Sequence, residues 1–278
     1  MYDLRVAPGR LSHILQAVYC EPWLIRPETH ATIGRIVQAH LSGDAHSGGL
    51  ALESFAEQEA APIRRDVDGV AVISIDGVIG KRVGQLEKSS GVTNVDEVAQ
   101  VFAEAHADDK IRGILLDINS PGGSVTGTPE LAGAIRESQK PTVAYTDMQA
   151  ASAAYWIASQ AHHLVAAPTA TVGSIGVYMA ILDQSRAAEM QGVKVDVIKS
   201  GRLKGAGIPG TSLSDEQRAH FQAQSDFIHA GFRHAVRAGR KREIADELME
   251  GQSYYAQQVV REGLVDRLGT IQDAMALI

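Results

Sequence analysis

The sequence predicts an α/β fold. From Val67 onward, apolar strand-like runs alternate with segments of helical periodicity. The runs are continuous and β-branched, as in parallel sheets buried on both faces. Strand–helix–strand order further implies right-handed crossovers.

The elements follow in order. Val70–Ile75 is a β-branched run ended by Asp76-Gly77. A helix is expected from Asn94 to about His106, with Asn94 and Glu97 as its capping box and Val98, Val101, Phe102 and Ala105 on one face. Gly113–Ile118 reads as a buried strand, followed by a helix over roughly 126–138. Strand Thr142–Thr146 precedes a helix of small residues at Ser152–Ala161. Further strands are expected at His163–Ala166, Ile175–Met179 and Lys194–Ile198. A longer helix starts at Ser214, with Gln217 completing its capping box and Phe221, Ile228 and Phe232 on its apolar face. The last segment, Tyr254–Leu268, carries Gly263-Leu264-Val265-Asp266.

The first 62 residues differ in character. Leu11–Val18 and Ile33–Leu41 suit short amphipathic helices, separated by Pro22 and Pro27, and Ser42–Gly49 reads as a linker. The expected organisation is therefore a helical appendage over residues 1–62 and a main domain over 63–278.

Composition excludes several classes. With 45% hydrophobic and 21% charged residues, the 278-residue chain has an ordinary globular balance. A formal net charge of −7 and the lack of a basic run give nucleic acid no electrostatic hold. Cys20 is the single cysteine, so neither an internal disulfide nor a cysteine zinc cluster can form. The ten histidines show no ligand spacing, and no metal or cofactor is expected. No apolar stretch suits a signal peptide or a membrane anchor, so a cytoplasmic location is expected.

Two segments are suited to chemistry. In Asp117-Ile118-Asn119-Ser120-Pro121-Gly122-Gly123-Ser124, a buried strand ends in a glycine turn. Bare backbone there can turn N–H groups toward an oxyanion, although a plain strand-to-helix turn has the same composition. In Ala150-Ala151-Ser152-Ala153-Ala154-Tyr155-Trp156, one serine stands among alanines at a helix start. As a structural residue Ser152 is an N-cap. As a nucleophile it has small neighbours, a helix dipole favouring negative charge, and the Ala153 N–H nearby. Ser159, two turns on, suits packing better.

A serine hydroxyl needs a base. His162 and His163 lie on or just beyond the same helix, and the next histidine, His220, lies within the long helix. A desolvated lysine is the other choice, because burial lowers its pKa. Lys194, Lys199 and Lys204 are equally eligible on these grounds.

Taken together, five segments resemble the SppA/protease IV family of serine peptidases. They are Asn119-Ser120-Pro121-Gly122-Gly123, Ala151-Ser152-Ala153 through Ser159, Thr171-Val172-Gly173-Ser174-Ile175-Gly176-Val177, Ser200-Gly201-x-x-Lys204 and Gly263-Leu264-Val265-Asp266. The resemblance implies a ClpP/crotonase-type α/β fold of repeated β-β-α units. It also implies a Ser152–Lys204 dyad, an oxyanion hole from the backbone of Gly122, Gly123 and Ala153, and Ser174 as a hydroxyl orienting the lysine. The chain departs at Ala153-Ala154, where many bacterial members carry Gly-Gly. The N-terminal Glu21-Pro22-Trp23-Leu24-Ile25-x-Pro27 is similar to the leader of lambda-like phage head-maturation proteases. That branch implies scaffold or capsid proteins as substrates and a homo-oligomer. A bacterial signal-peptide-peptidase role, an acyl-CoA enzyme of crotonase type and a catalytically weak capsid-assembly protein are the competing readings.

Overall fold

The computed structural model describes residues 22–42, 63–83 and 91–278, with side chains of the first stretch through Arg35. The helix expected at Leu11–Val18 and the linker beyond Ser42 lie outside the described residues. Two compact units divide the chain. One comprises Trp23–Val177 and His229–Ile278, the other Tyr178–Ile228 together with Pro22.

The larger unit is built from a repeated β-β-α pattern. A long strand enters a mostly parallel sheet, a short strand follows in a second layer, and a helix returns. The first repeat is β3 (Val70–Asp76), β4 (Val78–Gly80), the short β5 (Val92–Asn94) and α2 (Val95–Ala107). The second is β6 (Gly113–Asn119), β7 (Gly122–Ser124) and α3 (Thr128–Arg136). The third is β8 (Thr142–Thr146), β9 (Gln149–Ala151) and α4 (Ala153–Ala158). Strands β10 (His163–Ala166) and β11 (Thr171–Gly173) begin a fourth. The main sheet has the order β13-β10-β8-β6-β3-β2, with β2 at Arg64–Val67 and β13 at Arg267–Leu268. Only the β2–β3 pair in it is antiparallel. This is the ClpP/crotonase-like α/β fold implied by the sequence.

Side-chain chemistry explains the main elements. β3 and β6 are nearly continuous apolar runs because both faces are covered. Val70, Val72, Leu115, Val143, Tyr145 and Val165 cluster on one face, beneath α8 (Ile271–Met275). Helix α2 buries Val95, Val98, Phe102 and Ala105, and Asn94 caps it by accepting the Asp96 N–H at 3.1 Å. Val101, expected on the same face, is half-buried.

The N-terminal region crosses the expected boundary near residue 62. β1 (Trp23–Ile25) pairs antiparallel with β7, in a second-layer sheet of order β1-β7-β4-β5. Pro27, read from sequence as a separator, is instead the first residue of α1 (Pro27–Ser42), where its missing N–H costs nothing.

Among the described residues of the smaller unit, the helices are the short α5 (Ser185–Met190) and the first part of α6 (Asp215–Arg240). The Ser214–Gln217 capping box of α6 forms as expected: Ser214 N–H donates to Gln217 Oε1 at 3.0 Å, and Gln217 N–H to Ser214 Oγ at 3.3 Å. The strands expected at Ile175–Met179 and Lys194–Ile198 do not form. Apolar content alone does not make a strand, and Val193 and Ile198 are exposed. Among the described residues no helix is long and apolar enough to cross a membrane.

Candidate active site

Ser152 ends the β9 connection and stands at the N-terminus of α4. Its backbone has φ 56° and ψ −120°, far outside the regions a serine adopts freely. Holding it there costs about 1–3 kcal/mol, so the surroundings must fix it. They do so from both sides: Ser152 N–H donates to Gly173 O at 2.8 Å, and Ser152 O accepts the Trp156 N–H at 2.9 Å. A strained strand-to-helix turn of this kind presents a side chain away from its own backbone. The residue is 1% exposed, and its hydroxyl makes no capping bond to the helix.

Helix α4 is anchored through its whole length. Ala153 to Ala158 are all buried, Tyr155 Oη donates to Leu264 O at 2.8 Å, and Trp156 stacks on Phe232 with centroids 4.6 Å apart. Burial pushes the Tyr155 phenol far up, so it remains a neutral donor. Leu264 belongs to the Gly263-Leu264-Val265-Asp266 segment. Asp266 in turn accepts the Leu164 N–H at 2.7 Å and pairs with buried Arg240. The C-terminal motif thus clamps the helix that carries Ser152. Ala153 is the first residue of α4, so its N–H has no acceptor within the helix. Ser159 Oγ is engaged in packing bonds, donating to Trp156 O and accepting from Gln160 Nε2, each at 2.7 Å.

The glycine turn lies directly against Ser152. Gly122 has φ +100°, and a methyl group on it would stand 2.1 Å from Leu24 O and 2.9 Å from Ser152 Cβ. A methyl on Gly123 would meet Ile79 O at 1.9 Å. Only glycine fits either position. Gly122 N–H donates to the buried Ser120 Oγ at 3.2 Å. Gly123 therefore carries the other candidate oxyanion N–H. Sequence reasoning quoted Ser120 in its motif but gave it no role; its position two residues before Gly122 was the available signal.

Ser174 follows Gly173, whose carbonyl holds the Ser152 N–H. It too has a positive φ, of 53°, is 6% exposed, and donates its N–H to Gln252 O at 2.6 Å. Lys204 lies in the smaller unit, on a turn where its N–H donates to Gly201 O at 3.1 Å, and it is exposed. The desolvated setting expected for a lysine base is thus not provided within that unit. Lys199 Nζ donates to Arg202 O at 2.9 Å, and Lys194 pairs with Asp196 at 3.3 Å. His162 is committed elsewhere, with Nδ1 2.8 Å from Thr142 Oγ1 and its pKa lowered first of all by burial. Among the described residues no cluster of three or more His, Cys, Asp or Glu side chains is arranged to hold a metal.

Comparison with known proteins converges on one group. Residues 134–278 match the model of Peptidase family S49, and residues 74–172 match that of Clp protease. The head-tail preconnector protein GP5 of Enterobacteria phage P21 is 30% identical over 285 residues, covering 96% of this chain and 57% of that protein. The capsid assembly protease C of Escherichia phage lambda is 28% identical over 286 residues, covering 96% of this chain and 65% of that protein. Protease 4 of Salmonella typhi is 34% identical over 214 residues, covering 74% of this chain and 34% of that protein. The chain therefore spans only part of the length of each of these relatives.

Proposed function

The chain belongs to peptidase family S49, and from that premise we propose that it is a serine endopeptidase with Ser152 as nucleophile and Lys204 as general base. The observation that carries the reading is the strained, buried Ser152 at a helix N-terminus, packed against Gly122. Ser152 Oγ attacks a peptide carbonyl and passes its proton to a neutral lysine amine. The resulting oxyanion is held by the N–H groups of Gly123 and Ala153, aided by the helix dipole. The acyl-enzyme is then hydrolysed by water that the same amine deprotonates. Ser174 orients that amine through its hydroxyl.

Lys204 is exposed on its own unit, so this reading requires the amine to be desolvated in the working particle. The smaller unit carries a run of exposed apolar side chains, Leu182, Met190, Val193, Ile198 and Phe227, which supports a homo-oligomer as the form in which this happens. The likeness to a capsid assembly protease over 96% of the chain supports scaffold or capsid proteins as substrates during phage head maturation.

Labelling with a fluorophosphonate probe tests the nucleophile. Wild type should label, Ser152→Ala should not, and labelling indifferent to that change refutes it. Lys204→Ala should lower peptide turnover by about a thousand-fold or more. A single-turnover rate that stays flat from about pH 5 to about pH 9 refutes a lysine base, since acid must protonate it.

A further inference from the structure

We propose that β1, Trp23–Ile25, occupies the peptide groove of Ser152 in cis, as a pseudosubstrate that must leave before a protein substrate can bind. This rests on Ser152 being the nucleophile.

The register carries the argument. Opposed residues on antiparallel strands alternate between hydrogen-bonded and non-bonded pairs. Arg26 N–H donates to Pro121 O at 3.1 Å, which makes Arg26–Pro121 a bonded pair. The next pair, Ile25–Gly122, is then non-bonded, in keeping with Gly122 N–H turning to Ser120 Oγ. The one after it, Leu24–Gly123, is bonded. The Leu24 carbonyl thus accepts the Gly123 N–H, the donor assigned above to the oxyanion. The same oxygen and Ser152 Cβ both crowd the bare α-carbon of Gly122. An extended segment of the chain therefore holds a peptide carbonyl at the nucleophile as a bound substrate would.

Burial and topology point the same way. Leu24 is 0% and Ile25 2% exposed, so the segment is seated rather than resting on the surface. Both edges of β7 are taken, one by β1 and the other by β4. An incoming strand that bonds along Gly122–Ser124 has no free edge until β1 leaves. Arg26 adds a latch, its Nη1 donating to Gln149 Oε1 at 3.3 Å, and Pro27 turns the chain into α1. The mimicry also defines a substrate class: extended chains with a large apolar residue at the carbonyl facing Ser152.

Leu24→Pro removes the N–H of the bonded pair and tests the block. Folding is checked by circular dichroism, Ser152 by fluorophosphonate labelling, and turnover with a fluorescent casein. A released block raises casein turnover by about ten-fold or more, because the free protein is competent only while β1 is out. A folded Leu24→Pro variant that labels but cleaves no faster than wild type overturns the proposal. If neither protein labels, the nucleophile assignment fails instead. Should Leu24→Pro not fold, Leu24→Ala carries the test. A synthetic peptide of residues 21–28 should inhibit it competitively, and failure to inhibit overturns the proposal. A mature N-terminus at Ile25 in active wild-type protein likewise overturns a standing block.

Discussion

Asp266→Asn isolates what the C-terminal motif contributes. The Arg240 side chain is 2% exposed and pairs through Nη2 with Asp266 Oδ2, while its Nε and Nη1 have no hydrogen-bond partner among the described residues. Asp266 is thus the counter-charge of a guanidinium that is otherwise poorly satisfied. Removing one member of such a pair leaves a buried charge uncompensated, at about 3–5 kcal/mol. The asparagine oxygen can still accept the Leu164 N–H, which places the expected loss near the lower end, about 3 kcal/mol. At roughly 2–4 °C per kcal/mol for a chain of this size, the melting temperature should fall by roughly 6–12 °C. Urea unfolding followed by far-UV circular dichroism measures the change. Adding Arg240→Met removes the stranded charge and should recover most of the loss, since replacing both partners with shape-matched groups is often neutral. A loss under about 1 kcal/mol for the single variant, or a double variant no better than it, would refute the reasoning.

Two further outcomes follow from the geometry. Gly122→Ala forces a Cβ into Leu24 O and Ser152 Cβ at a φ of +100°, and should cost about 2–5 kcal/mol and slow Ser152 labelling, as read by urea unfolding and probe kinetics. Asp117 has its pKa raised, first by burial and then by Asp76 and Asp147, with Arg65 opposing. A carboxyl raised in the folded state contributes stability that is full below its unfolded value, about 3.9, and is lost as pH rises through the folded value. The stability of wild type relative to Asp117→Asn should therefore decline as pH rises above about 4 toward neutrality, and a constant or increasing difference contradicts the burial argument.

Much of the fold was legible in the chain because its signals are local. The runs Val70–Ile75, Gly113–Ile118 and Thr142–Thr146 are apolar on both faces, which suits a covered parallel sheet, and each became a strand of it. Asn94 and the Ser214–Gln217 pair announce helix starts through bonds spanning two or three residues. Ser152 could be placed at a helix start, but its strained backbone could not be read, because Gly173 and the packed length of α4 impose it. Ile175–Met179 and Lys194–Ile198 look like strands for the same local reasons as the true ones but form none, because local preference alone does not make a strand. Nothing local in the sequence marks Arg240 as buried; its ion pair with Asp266, 26 residues on, accompanies that burial.

By itself, then, the sequence determined the order of elements, the glycines that the turn at 122–123 requires and the serine at the head of α4. Each depends on backbone freedom or on bonds among near neighbours. Tertiary structure alone decided that Trp23–Ile25 lies along that glycine turn, that the Gly122 N–H turns to Ser120 Oγ, and that Lys204 is exposed on its own unit. Those facts arise from pairing and burial between segments far apart in the chain, where no local preference selects the partner.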